Sequence, residues 1–126
     1  MTHRLTTIVA ACSTWRGAQI AGWLRDGMEA EALCTDIAEL VDAVLAHAPD
    51  VVVVDIDACR VRRRVIEDIA SVPARWEHAE LIALVPPLYF TQTWTMPRIA
   101  AHAVLVRQSS QDVLCRAVND RVRRLR

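Results

Sequence analysis

Asp55 ends the run Val51-Val52-Val53-Val54, and a carboxylate presented at the end of an apolar segment can do three things. It can accept a phosphoryl group, ligate a hard cation, or pair with an arginine. Arg107, 52 residues further on, is the cation for the third of these, and a turn-capping role is the other plain reading of Asp55. Asp57 can add one oxygen to a cation site, against its plainer reading as a solvated loop acid. Arg60, Arg62, Arg63 and Arg64 form a basic run able to hold an anion or nucleotide, but no glycine-rich phosphate loop accompanies it. A second run, Arg121, Arg123, Arg124 and Arg126, ends the chain, where cations suit a helix dipole. Both runs read first as solvated helix faces. His3, His47, His78 and His102 are scattered without metal-ligand spacing.

The elements that must position these groups alternate. Thr6 to Ala11 is an apolar run of strand length, and Ser13 caps a helix to Arg25 with Ala18, Ile20, Ala21 and Leu24 at helical spacing and Gly27 as its stop. Trp15 and Trp23 fall in that helix, one expected in the core and one partly exposed. Ala30 to Thr35 is a second strand. Asp36 and Glu39 have capping-box spacing and open a helix carrying Ile37, Leu40, Val41, Val44 and Leu45, which Pro49 ends. Val51 to Ile56, continuously β-branched until Asp55, suits a central parallel strand covered on both faces.

Val61, Val65, Ile66 and Ile69 mark a third helix closed by Pro73, and Leu81 to Val85 is a fourth strand terminated by Pro86-Pro87. Leu88 to Ala101 carries threonines and Pro97, which predicts a short or broken fourth helix. Leu88, Tyr89, Phe90, Trp94 and Met96 crowd that segment, so some are expected to be exposed as a partner or self-association surface, the rival reading being that they fold back as core. Ala103 to Val106 is a fifth strand, and Ser109 or Ser110 caps a last helix with Val113, Leu114, Ala117, Val118, Val122 and Leu125 on one face.

Strands alternating with helices imply a parallel sheet with right-handed crossovers and sites at the carboxyl ends of its strands. That edge gathers Ala10 to Ser13, Asp55 to Arg60, Val85 to Leu88 and Arg107 to Ser109. Cys12 and Cys59 follow the first and third strands. A redox disulfide between them needs alpha carbons within about 7 Å, and their plainer reading is two small residues.

This alternation, with Pro49-Asp50-Val51-Val52-Val53-Val54-Asp55 at its centre, resembles the receiver domain of bacterial response regulators over nearly the whole chain. Val85 lies 30 residues past Asp55 and Arg107 22 further, which matches that family's spacing of phosphoacceptor, hydroxyl and lysine. Ala100-Ala101-His102-Ala103-Val104-Leu105-Val106-Arg107 resembles its small-residue turn, strand and basic residue. The resemblance implies an α/β fold: a doubly wound, five-stranded parallel sheet of the flavodoxin-like, CheY-like (βα)5 type, strand order 2-1-3-4-5, with residues 1–126 as a single receiver-like domain.

It also implies lost chemistry. In that family an acid pair at the end of the first strand joins the acceptor aspartate in holding magnesium. Here the pair falls at Ala10-Ala11, or at Ala11-Cys12 one residue on, and neither supplies a carboxylate. The hydroxyl position is Val85, the lysine position is Arg107 followed by Gln108 instead of proline, and the switch aromatic is Val104. Asp55 alone matches. The Mg2+ site is therefore expected to be lost, with no cofactor and no catalysis. The expected function is that of an atypical receiver, or pseudo-receiver, signalling independently of phosphorylation through a protein partner or homodimer on the helix 4, strand 5, helix 5 face. Tyr89, Phe90, Trp94 and Val104 are its candidate residues, and transcription is the commonest output of the family resembled. Two alternatives stay open: a two-component phosphoacceptor using Asp55 with Arg107 and Asp57 as support, and a small-molecule or redox sensor using the altered pocket.

Composition narrows the classes further. All 15 bases are arginine and 15 acids balance them, so no overall field draws the chain to nucleic acid, and no DNA-reading motif is present. No apolar run reaches membrane-span length and the N-terminus lacks a secretory pattern, which points to the cytoplasm. Four cysteines without close pairing read as reduced thiols.

Overall fold

The computed structural model describes residues 4–56, 79–86 and 103–124. Within them, strands β1 (Thr6–Ala11), β2 (Glu31–Asp36), β3 (Val51–Asp55), β4 (Glu80–Val85) and β5 (Ala103–Val106) form one sheet in the order β2-β1-β3-β4-β5. Every neighbouring pair is parallel. Helices α1 (Thr14–Met28), α2 (Leu40–His47) and α3 (Gln111–Arg124) accompany it. This is the doubly wound α/β arrangement expected from the sequence. The third and fourth helices anticipated there lie outside the described residues.

The alternation of strand side chains divides the core into two layers. On one side, Ile8, Ala10, Val52, Val54, Leu81, Ala83 and Val85 meet Ile37, Leu40 and Val44 from the α2 segment. On the other, Val9, Val51, Val53, Ile82 and Leu84 meet Ile20, Ala21 and Leu24 of α1 and Leu114, Cys115 and Val118 of α3. Each valine of β3 is thus covered, which is why that strand shows no polar alternation. Asp50 ties the opposite edge of the sheet together. Its N–H donates to the Thr6 carbonyl at 2.8 Å, its carboxylate accepts from the Thr6 N–H at 3.0 Å, and its carbonyl accepts from the Glu80 N–H at 3.0 Å.

Several boundaries differ from the sequence expectation. Gly27 does not stop α1; the helix runs to Met28, and Glu29 closes it in the left-handed region at φ 55°. Gly27 serves a close approach instead, since a Cβ there would stand 2.7 Å from the Cys115 sulfur across the α1–α3 contact. β2 and β4 each begin one residue from where patterning puts them, at Glu31 and Glu80. Asp36 caps a 3₁₀ turn over Ile37–Glu39 by accepting from the Ala38 N–H, while Glu39 heads α2 without a side-chain capping bond. Ser110, one of the two serines expected there, does cap α3, through its carbonyl and hydroxyl to Leu114 and Val113. Leu45 and Val113, assigned by periodicity to buried faces, are exposed, because both helices bury a narrower stripe than their apolar content suggests. Trp23 is half-buried rather than core, and Trp15 is 72% exposed.

Candidate functional site at the carboxyl edge of the sheet

The ladder places Ala11 beside Asp55 on one side and Asp36 on the other. Asp55 continues the side-chain parity of Val51 and Val53, so its carboxylate emerges on the α1–α3 side of the sheet. Its side chain is only 3% exposed. A buried carboxylate left unpaired is costly, and here two arginines satisfy it.

Arg107 meets it as a fork: Nε donates to Oδ1 at 3.0 Å and a terminal nitrogen to Oδ2 at 3.1 Å. Two parallel charge-assisted bonds hold the guanidinium in one plane with the carboxylate. The segment presenting Arg107 is itself fixed, since the Arg107 N–H donates to the Val85 carbonyl at 2.7 Å and extends the β4–β5 ladder. Arg16, in the first turn of α1, donates from Nε to the same Oδ1 at 3.4 Å and from a terminal nitrogen to the Arg107 carbonyl at 2.6 Å. Its remaining terminal nitrogen reaches Gln19 at 2.9 Å, and its guanidinium lies 5.7 Å from the centre of the Trp23 ring. Arg16 is 12% exposed and Arg107 30%, so both cations cover the Asp55 carboxylate while keeping part of their own surface in solvent.

The other residues singled out by sequence scatter around this cluster. Ala11 is buried directly across the ladder from Asp55, on the α1 side, close under Gly17. Ala10 and Val85 are buried in the opposite layer with Ile8 and Val54, so neither faces the carboxylate, and the rung partner of Asp55 on β4 is Leu84. Val104 pairs with Ala83 in the sheet. Cys12, Cys34 and Cys115 carry reduced thiols, and the Cys115 thiol is pushed above its ordinary range by burial and then by the charge of Asp112. Cys59, Asp57, the arginines at 60 and 62–64, Tyr89, Phe90 and Trp94 lie outside the described residues. Arg121, read from sequence as part of a solvated run, is paired with the buried Glu80 at 3.0 Å.

Sequence reading missed Arg16. A cation in the first turn of a helix opposes the helix dipole, and this first turn contains no acid. That mismatch was the available signal, because an unfavourably placed cation implies a carboxylate opposite it.

Comparison with solved structures follows the geometry. A pilus assembly-related protein described from Burkholderia pseudomallei superposes with a TM-score of 0.80 at 16% identity, covering 94% of this chain and 90% of that one. A response regulator receiver domain protein of Clostridium thermocellum gives 0.79 at 15% identity, covering 95% of each chain. The chemotaxis response regulator CheY4 of Vibrio cholerae gives 0.76 at 11% identity, covering 94% and 99%. The chain has the receiver fold. No protein-family model and no curated protein matches the sequence. Among the described residues, the receiver fold here gathers no group of three or more His, Cys, Asp or Glu arranged to hold a metal, and no helix is long and apolar enough to cross a membrane.

Proposed function

We propose that this chain is an atypical receiver, a cytoplasmic two-component-type signalling module whose output passes through protein contacts and does not require phosphorylation of Asp55. One observation carries the reading: both oxygens of the buried Asp55 carboxylate are held by arginines, Oδ1 by Arg107 and Arg16 and Oδ2 by Arg107. Phosphoryl transfer to a carboxylate needs an oxygen free to attack and a cation that bridges it to the oxygens of the phosphoryl group being transferred. Arg107 and Arg16 supply charge but occupy the nucleophile, and Ala11 contributes no oxygen where a second carboxylate would complete a magnesium shell. The described residues do not fit Mg2+. Asp36, the nearest rung acid, is committed to capping the turn at Ala38.

The partner contact is proposed on the face built from the segment before β5, β5 itself and α3, with Tyr89, Phe90, Trp94 and Val104 as its candidates. A homodimer or a protein partner serves equally there. The test incubates the protein with acetyl phosphate and Mg2+ and reads intact mass, with Asp55→Ala as the control. The reading expects no added phosphoryl mass; a stoichiometric phosphoryl adduct absent from Asp55→Ala makes Asp55 a working acceptor and ends the proposal.

A further inference from the structure

From Asp26 to Cys59 the sequence contains no arginine or lysine, while Asp26, Glu29, Glu31, Asp36, Glu39 and Asp42 fall within it and are all exposed. None of the six joins an ion pair with a described residue. β2, which carries two of these acids, is the edge strand of the sheet. On the same two elements stand two partly exposed apolar side chains, Leu33 of β2 at 40% and Leu45 of α2 at 56% exposure. Leu33 helps line a groove of about 400 Å³ with Thr6, Ile8, Glu31 and His47, between the sheet edge and the end of α2. The bland explanation of an acidic face is solubility, but solubility alone gives no reason for exposed leucines on it and a groove beside Glu31 and Leu33.

We propose that this α2–β2 surface docks a basic segment of a partner protein that carries an apolar anchor, the anchor entering the groove beside Leu33 and the cations facing Glu31, Glu39 and Asp42. The occupant's chemistry follows from charge complementarity with these acids, since the two described arginines that reach the stretch from outside it, Arg4 and Arg25, bond its backbone carbonyls at Glu29 and Ala32 and not its carboxylates. Addition of a strand to β2 is disfavoured, because a terminal nitrogen of Arg25 already donates to the outward Ala32 carbonyl at 2.6 Å and blocks the edge. A second copy is also disfavoured. Its basic end lies on α3 across the sheet, so the contact would be head-to-tail and would propagate into open chains. This surface stands apart from the Asp55 cluster, and the inference is independent of how that carboxylate behaves.

The test titrates a synthetic hexapeptide of arginine and leucine into the isotopically labelled protein and follows amide shifts. Saturable shifts centred on Leu33, Leu45 and His47 are expected, weakened about tenfold or more by Asp42→Lys, by Leu45→Ser, or by replacing the peptide leucines with serine. Both positions are exposed, so the variants should keep the wild-type circular dichroism spectrum, which is checked first. Equal binding of the serine peptide, or shifts spread over every acid without a centre, overturns the proposal. Salt-dependent self-association without peptide, abolished by Arg123→Glu, assigns the surface to a second copy and overturns it equally.

Discussion

At the scale of single residues the account turns on how two arginines share one carboxylate. Arg107→Ala removes both fork bonds but leaves Arg16 on Oδ1, so its cost is expected at about 1–3 kcal/mol, and Arg16→Ala at about 1 kcal/mol. The double variant strands a buried charge, so its destabilisation in urea should exceed the sum of the singles by about 0.5–2 kcal/mol. Additive losses would mean the two arginines act independently of Asp55. Cys115 gives a pH prediction. Its thiol is raised by burial first and Asp112 second, so the folded state keeps the proton where the unfolded chain has released it. Stability is therefore unaffected below the ordinary thiol range and falls as pH rises through it; Cys115→Ala should flatten that alkaline decline. The Asp55–Arg107 pairing was legible in the sequence because strand ends converge on one edge. Arg16 was not, because its contact depends on how α1 crosses that edge, which periodicity does not specify.

At the scale of elements, the helix ends and one helix contact make predictions of opposite sign. Ala48 closes α2 at φ 46° and Glu29 closes α1 at φ 55°, a region where a Cβ is strained, so Ala48→Gly and Glu29→Gly should each stabilise by about 0.5–1 kcal/mol in thermal melts. A loss of stability would show that these caps carry no strain. Gly27→Ala would ordinarily gain up to about 1 kcal/mol inside a helix, but its Cβ would collide with the Cys115 sulfur at 2.7 Å. It should therefore destabilise the wild type and stabilise a Cys115→Ala background; the same sign in both would remove the steric argument. Strand identity was readable from β-branched runs, most clearly in Val51–Asp55. Helix ends were not, since Gly27 carries the residue type of a stop and is used for approach instead, while a glutamate two positions later takes the left-handed turn.

At the scale of the whole molecule, the alternation of strand and helix patterns pointed to a parallel sheet with right-handed crossovers, while the order β2-β1-β3-β4-β5 was expected only through the resemblance to receiver domains. The charge layout was less legible. Balanced totals conceal an acidic β2–α2 edge and an arginine-rich α3, and only the structure shows that α2 and α3 pack on opposite faces of the sheet. The most direct test of the central claim is an amide-shift titration with Mg2+ and beryllofluoride, a phosphoryl mimic that needs an unoccupied acceptor oxygen and a clamped cation. Unmoved resonances for Ala11, Asp55, Ile56 and Arg107 at saturating reagent are predicted; saturable shifts at those four positions, lost in Asp55→Asn, would contradict it.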